Sequence, residues 1–596
     1  MPGGFIGVDV FFVISGYVIA RSYLYSLING EKTLRQFYLA RIRRLAPAAF
    51  MLLAAVTIAA ALMLPPYDLS TYAQSLGAQS IWMQNFVFWY QGEYFDKALT
   101  RPLLHTWSLA VEEQFYLGWA ILIPLLRFRP RWTLAVITAL ALISLAAGFA
   151  LAPRSPKTVF YLLPFRIWEF ALGIFAFELR RFVPLVSKKV MAWAAAACCL
   201  GLLWTGLAFG EDAALPGAHS IFACLITTVI LALLEKNAPA GNRVAFMQWR
   251  PALYVGKISY GFYLWHWPPL VLWYLHNATA ASPLAAAAIT VGAFAAASAS
   301  YHLIENPIRQ RRALASSRAL LGLFAGMSAV LVMTSVALIS SNGLAARYAV
   351  ELRPFLTAKL DKAQVTCAKT FTLLNPAKEF CPIAGSDLSE DHAAVLILGD
   401  SHAENIAYSA RELAEQNGTR LFLTSRNCDL GTFGKSAYCS RSVLETIAQQ
   451  AKDAGVETIL VASLFQTSGL DDETLLADLS VLQRVGARIV VLADWPMGSE
   501  YDPETNALYA LEGKPLDRRG ITRAAYERQR AEALPKLQRA ARQVEGVELI
   551  DPANALCGPV SCPSASQTGP FYIDADHLSK EGNRKIAPLI ERYFAR

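Results

Sequence analysis

The chain is poor in charge. Asp, Glu, Lys and Arg together make up 17% of its 596 residues, against 55% apolar residues. That balance excludes an ordinary soluble protein. Its nine cysteines and eight histidines form no cluster at metal-ligand spacing, which argues against a structural metal. One acidic-partner signal is present, a net charge of +8. Its arginines sit in short clusters between apolar runs, however, so membrane topology explains them better than nucleic acid does.

What is abundant is apolar sequence. A spanning helix needs about 20 mostly apolar residues. The stretches 8–28, 45–64, 105–126, 132–152, 160–179, 190–209, 218–235, 253–275, 283–304 and 319–340 meet that need. The stretch 70–90 is amphipathic, with Gln74, Gln79, Gln84 and Asn85. If it does not cross, one set of loops collects Lys32, Arg35, Arg41, Arg43 and Arg44, then Arg127, Arg129 and Arg131, then Arg180, Arg181, Lys188 and Lys189. The same set takes Lys236, Arg243 and Arg250, and finally Arg309, Arg311, Arg312 and Arg318. The opposite set holds only Lys97, Arg101, Arg154 and Lys157. The positive-inside rule therefore places 70–90 as an interfacial or re-entrant helix on the outer side, with both Met1 and residues 341–596 outside. Ten crossings that start outside, with no positive flank, predict a further apolar helix upstream of Met1.

The chain changes character near residue 340. Six cysteines follow as Cys367/Cys381, Cys428/Cys439 and Cys557/Cys562. Their close spacing suggests three local loops in an oxidising compartment such as the bacterial periplasm. Residues 341–392, with Pro354 and Asn375-Pro376, read as a lead-in. From 393 to 596, short apolar runs at 395–398, 421–424, 458–462, 488–493 and 547–550 alternate with amphipathic stretches. The stretches 403–416 and 441–454 end at Gly418 and Gly455. This alternation predicts a soluble α/β domain with a parallel sheet.

Two motifs stand where such sheets place chemistry, beyond the carboxyl ends of strands. Gly399-Asp400-Ser401-His402 directly follows the first run, and Asp574-Ala-Asp-His577 precedes a last helix for which Ser579 is a plausible N-cap. The pattern predicts Ser401 as nucleophile, His577 as its general base and Asp574 as the group that orients the imidazole. Each motif alone also fits a plain turn or surface loop; together they mark a catalytic site. Inside the apolar half, Glu112, Glu113, Arg166, Glu169 and His266 are costly in hydrocarbon. They face protein or a wet cavity, either as packing ion pairs or as working groups. Arg41 and Arg44 at the mouth of a span suit phosphates.

Several segments together look familiar. They are Gly3-Gly-Phe-Ile-Gly-Val-Asp-Val-Phe-Phe-Val-Ile-Ser-Gly-Tyr17, Arg41-x-x-Arg44, Thr106-Trp-Ser-Leu-Ala-Val-Glu-Glu-Gln-Phe-Tyr116, Arg166-x-x-Glu169 and Ser259-Tyr-Gly-Phe-Tyr-Leu-Trp-His-Trp-Pro268. They resemble the acyltransferase-3 family of membrane O-acyltransferases over residues 1 to about 310. They resemble in particular the branch that carries a C-terminal SGNH domain and O-acetylates cell-envelope polysaccharides. The resemblance implies a polytopic domain over 1–340 in a bacterial inner membrane. It implies acetyl-CoA as co-substrate, taken from the cytoplasm with Arg41 and Arg44 near its phosphates, and no bound cofactor. It implies a glycan acceptor outside, such as lipopolysaccharide O-antigen or a lipid-linked glycan. Glu113, Arg166, Glu169 and His266 become candidate working residues of the membrane half. The family's essential arginine and histidine lie in a helix ahead of the Gly-Gly-Phe-Ile-Gly-Val-Asp segment, which agrees with the expected upstream helix. Ser401, Asp574 and His577 match the first and last motif blocks of SGNH hydrolases. The middle blocks match poorly. Gly431 is the candidate oxyanion-hole glycine, and Val461-Ala-Ser-Leu-Phe465 stands where a Gly-x-Asn is expected.

Overall fold

The computed structural model describes every residue except 1–2, 92–97, 129, 154, 209–215, 238–247, 278, 362, 368–378, 425–428, 435–438, 467–468 and 596. Lys97, Arg129, Arg154, Arg243, Asn375, Pro376 and Cys428 of the sequence reading lie outside the described residues. The chain divides into two compact units, Met1–Leu344 and Ala345–Arg596.

The secondary structure of the first unit's described residues is helical, with no strand among them. Among the described residues, eight helices are long and apolar enough to cross a membrane: Ile6–Ile28, Leu34–Met63, Leu104–Arg127, Thr133–Leu151, Lys188–Ala208, Ala218–Asn237, Pro283–Arg309 and Ser317–Ser340. Two of the ten expected spans are broken. The 160–179 stretch gives only Ile167–Leu179, because the chain is extended at Leu162 and turns through Leu163–Phe165 around Pro164. The 253–275 stretch divides at His266 into Arg250–Trp265 and Trp267–Asn277. Pro268 lacks the N–H that would bond the Leu264 carbonyl. The His105 ring takes that carbonyl instead, at 3.1 Å from Nε2. The 70–90 stretch forms Pro66–Gln79 and Gln84–Gln91. Gln79, Gln84 and Asn85 turn inward while Gln74 stays exposed: Gln84 Nε2 donates to the Thr106 carbonyl (2.6 Å), and Asn85 Nδ2 to that of Tyr161 (3.1 Å).

Small residues set the closest helix pair. A Cβ on Gly16 would lie 1.9 Å from the Phe170 carbonyl oxygen, and one on Gly173 would lie 1.9 Å from that of Val13. Ile6–Ile19 and Ile167–Leu179 therefore approach backbone to backbone, as small residues permit in membrane helices. That approach brings three charged side chains from the two helices into one buried group.

The second unit is built on a six-stranded sheet. The strands are β1 (Phe380–Ala384), β2 (Ala394–Gly399), β3 (Arg420–Thr424), β4 (Thr458–Ala462), β5 (Arg488–Leu492) and β6 (Val547–Ile550). Their order is β1-β3-β2-β4-β5-β6, all parallel except β1, which runs antiparallel to β3. The five expected strands are all present. β1 lies in what the sequence reading took as lead-in, and the Cys367–Cys381 disulfide ties it down. Cys557–Cys562 is also bonded, and Cys439 is disulfide-bonded too. β2 and β4 are buried along their whole length, which is why they read as continuous apolar runs rather than alternating ones. Helices cover both faces. One, Ser401–Asn417, leads straight out of β2 and stops at Gly418 in the left-handed conformation (φ 63°).

Candidate functional site

The soluble site forms where β2 ends. At Gly399 φ is 153°, and a Cβ there would sit 1.9 Å from the Ala462 carbonyl oxygen of the neighbouring strand. Only glycine lets the backbone turn so close to β4. Asp400 caps the next helix, one carboxylate oxygen accepting from the His402 amide at 2.8 Å. Its other oxygen accepts from the Leu464 amide, also at 2.8 Å. Asp400 thereby ties the serine turn to the loop after β4. Ser401 is the first residue of the helix.

The second motif closes on the first. Ser579 caps the last helix by accepting from the Gly582 amide, and the turn before it folds round Asp574, whose Oδ1 accepts from the amides of Asp576 (3.1 Å) and His577 (2.8 Å). His577 Nε2 then stands 2.7 Å from Ser401 Oγ. His577 Nδ1 lies 3.0 Å from both oxygens of Asp574 and 3.1 Å from Oδ1 of Asp576. Serine, histidine and aspartate thus form one hydrogen-bonded chain, the arrangement in which imidazole takes the hydroxyl proton and a carboxylate holds the resulting charge.

Two carboxylates on one ring nitrogen have a consequence for titration. Burial alone would push the His577 pKa down. The hydrogen bonds and charges of Asp574 and Asp576 outweigh it and raise the pKa to about 10. Burial works to raise Asp574, but His577 holds it well below the usual carboxylate range. Around this pair, burial raises Glu404, Asp429 and Asp494 to about 7. Asp429 is also raised by the charge of Asp400.

Sequence reasoning named Ser401, Asp574 and His577 and missed Asp576, although it sits inside the quoted Asp-Ala-Asp-His. The available signal was an acid immediately before the histidine. It also missed the bridging role of Asp400, which an Asp at a helix start announces. Gly431 does not serve as the expected oxyanion donor: its amide donates to the buried Asp478 carboxylate at 2.9 Å. In the segment that replaces Gly-x-Asn, the Leu464 and Phe465 amides are taken by Asp400 and by Asp494 (2.9 Å). His402 is buried, its ring 4.5 Å from that of Trp495 and 5.3 Å from that of His577. Donor atoms of His402, Asp576 and His577 lie within 4.8 Å of one another. Both ring nitrogens of His577 are already engaged, Nε2 by Ser401 and Nδ1 by Asp574.

The membrane unit separates its candidates into two places. Arg166 pairs with Asp9 (3.1 Å) and Glu169 (2.6 Å), and all three are buried. Its Nε donates to the Phe160 carbonyl, and the guanidinium lies over the Trp107 and Phe160 rings. The three form one buried ion group between the two helices, in which Asp9 Oδ2 and Glu169 Oε2 have no hydrogen-bond partner among the described residues. The other place is a cavity of about 380 Å³, lined among others by Arg41, Arg44, Ser15, Glu112, Tyr263 and His266. Arg166 and Glu169 do not line it. Nor does Glu113, since consecutive helical residues point to different faces. Glu112 faces it instead, its Oε1 accepting from Ser15 (2.5 Å) and from Tyr116. Arg41 rests against the rings of Tyr23, Phe37 and Tyr116. At the other end, His266 Nδ1 lies 2.6 Å from the Tyr263 carbonyl, and its ring is 5.5 Å from that of His105. The structure therefore joins the arginine mouth to His266 and sets the Arg166 group apart.

Known proteins share both halves. Residues 2–302 match the acyltransferase-3 family model, described as an acyltransferase domain. Residues 366–592 match the model described as an SGNH domain fused to such domains. The chain belongs to the acyltransferase-3 family, as a multi-pass membrane protein carrying a C-terminal SGNH domain. It is 30% identical over 324 residues to the peptidoglycan O-acetyltransferase OatA of Listeria monocytogenes, covering 52% of each chain. A Komagataeibacter xylinus protein named as a membrane-bound transacylase, BcsY, is 32% identical over 281 residues, 46% of this chain and 68% of its own. The Staphylococcus aureus O-acetyltransferase OatA is 28% identical over 329 residues, 52% of this chain and 53% of its own. The chain spans about half the length of these OatA relatives. The solved periplasmic domain of a Salmonella ser. Paratyphi A lipopolysaccharide acetyltransferase aligns with 42% of this chain and 98% of its own, at 15% identity. The TM-score is 0.30, too low to carry any argument.

Proposed function

We propose that the protein is an O-acetyltransferase that moves an acetyl group from cytoplasmic acetyl-CoA across the bacterial inner membrane onto hydroxyls of a cell-envelope polysaccharide. The observation that carries this reading is the 2.7 Å Ser401–His577 hydrogen bond, in a chain whose membrane unit holds an arginine-lined mouth. A nucleophile–base pair forms and breaks acyl esters. A cationic mouth opening on a cavity inside the membrane unit suits a phosphate-bearing donor with a long thin arm.

In this reading Arg41 and Arg44 hold the donor's phosphates, and the arm enters the cavity toward His266. Placing the arginine clusters inside puts residues after 340 on the outer side, in the periplasm. There the acetyl group is taken by Ser401: Oγ attacks the acyl carbon, His577 Nε2 accepts the hydroxyl proton, and the leaving group departs with it. A sugar hydroxyl then attacks the acyl-serine, giving its proton to His577 and freeing Ser401. O-antigen, peptidoglycan, exopolysaccharide and lipid-linked glycans are all acceptors of the right chemistry. An esterase that only removes acetyl groups would use the same residues.

Trapping separates the two. The full-length chain in nanodiscs is given radiolabelled acetyl-CoA without glycan, and the label is sought on Ser401. Label that is lost in Ser401→Ala supports transfer. Label that arises only from acetylated glycan, never from acetyl-CoA, supports the esterase.

A further inference from the structure

The arginine mouth has a second wall that the donor reading has not used. A cavity of about 580 Å³ is lined by Arg35, Arg41, Arg43 and Arg44 from one segment, and by Arg309 and Arg311 from another, with no carboxylate in its lining. The first group lies in the opening turns of Leu34–Met63, and the second at and just past the end of Pro283–Arg309. Far apart in sequence, they face each other in space: Arg44 feels the charges of Arg41 and Arg309, and Arg43 that of Arg311, while the buried Glu112 and Glu305 act on Arg44, and Glu305 on Arg309, from outside this cavity's lining. Arg43 spends part of its guanidinium on the Ala315 carbonyl at 3.1 Å. Among the described residues, none of the six has a carboxylate ion-pair partner. Six like charges around one concave surface repel each other and concentrate anions from solution.

The chemistry of that anion follows from what adjoins the cavity. It shares Arg41 and Arg44 with the inner cavity that runs to His266. A donor whose diphosphate sits at Arg41 and Arg44 with its arm inward leaves its adenosine outside, against the far wall. Coenzyme A carries one more phosphate there, on the ribose 3′-oxygen. Resting on the acetyl-CoA reading above, we propose that Arg309, assisted by Arg311, binds the 3′-phosphate of the donor's adenosine, so that the mouth selects 3′-phosphorylated nucleotides. A planar guanidinium suits a phosphate bidentately.

The test measures binding of coenzyme A and of 3′-dephospho-coenzyme A, which differ only in the 3′-phosphate, to the purified full-length chain in zwitterionic nanodiscs. One added charge-assisted phosphate contact predicts a preference of about tenfold or more for coenzyme A. Arg309→Gln should bring coenzyme A down to the affinity of 3′-dephospho-coenzyme A and leave the latter unchanged, with Arg309→Lys in between. Arg309 is exposed, so its variants fold, and Arg311→Gln provides a second, smaller loss. Equal affinity in the wild type, or a preference that Arg309→Gln leaves intact, overturns the proposal while the acetyl-CoA reading stands. Failure of both nucleotides to bind overturns both. Repeating the titration with phosphatidylglycerol present distinguishes the source of the phosphate. If anionic lipid abolishes nucleotide binding, the wall is a headgroup site and the proposal falls.

Discussion

Asp576→Asn is the most informative single substitution in the soluble site. His577 Nδ1 faces two carboxylates, and their combined pull raises its pKa to about 10. A raised base is mostly imidazolium at neutral pH and cannot accept the Ser401 proton, so turnover must climb with pH as the ring deprotonates. A hydrogen bond to a charged group is worth about 1.5–3 kcal/mol, equivalent to roughly one to two pKa units. The Asp576 side chain is 29% exposed, so solvent screening reduces its share to about one unit. Removing that charge lowers the pKa by the same amount. The acid limb of the rate profile should move down by about one pH unit, and the rate at neutral pH should rise by up to about tenfold. Asp574 still holds the ring, so the maximal rate should change little. The assay is hydrolysis of a chromogenic acetyl ester by the full-length chain across the pH range. A limb that stays in place, or moves up, refutes the argument that Asp576 shares the imidazolium charge.

Other substitutions test the frame that holds the site. Gly399→Ala puts a methyl group where the Ala462 carbonyl already stands; loss of activity with a lowered melting temperature is expected, and an unchanged melting temperature would contradict the close approach. Arg166→Ala leaves the Asp9 and Glu169 carboxylates buried without their cation, at a cost of about 3–5 kcal/mol; urea denaturation in detergent should show it, whereas Arg41→Ala should raise the KM for acetyl-CoA and leave the melting temperature near that of the wild type. Removing the Cys367–Cys381 disulfide by Cys367→Ser with Cys381→Ser, which opens a loop of 14 residues, should destabilise the soluble unit by about 3 kcal/mol, read as a lower melting temperature of the double variant.

Much of this was legible in the sequence, for physical reasons that also mark where legibility ends. Strands β2 and β4 were readable because a parallel strand buried on both faces is an unbroken apolar run; β6, half-buried and carrying Glu548, was legible only from the alternation of short apolar runs with amphipathic stretches. β1 was not: it is an edge strand interrupted by Pro382 and held by a disulfide, so its pairing is tertiary. Hydropathy found the 160–179 and 253–275 stretches but cannot see that Pro164 and Pro268 break them. Ser401 and His577 stood out because strand-turn-helix chemistry fixes the residue types. That both Asp574 and Asp576 reach one nitrogen is decided by a turn of three residues, which spacing does not determine. Arg166 and Glu169 stood out because charge is rare in a membrane. Their third partner, Asp9, became evident only once Gly16 and Gly173 let two helices meet.

Transfer of the acetyl group across one bilayer has a sidedness that can be measured. The full-length chain is reconstituted in proteoliposomes with its SGNH unit facing out, radiolabelled acetyl-CoA sealed inside and cell-envelope polysaccharide outside. Ester-linked label should appear on the external glycan and be absent with Ser401→Ala. If label reaches the glycan only when acetyl-CoA is also supplied outside, transfer across the membrane is contradicted.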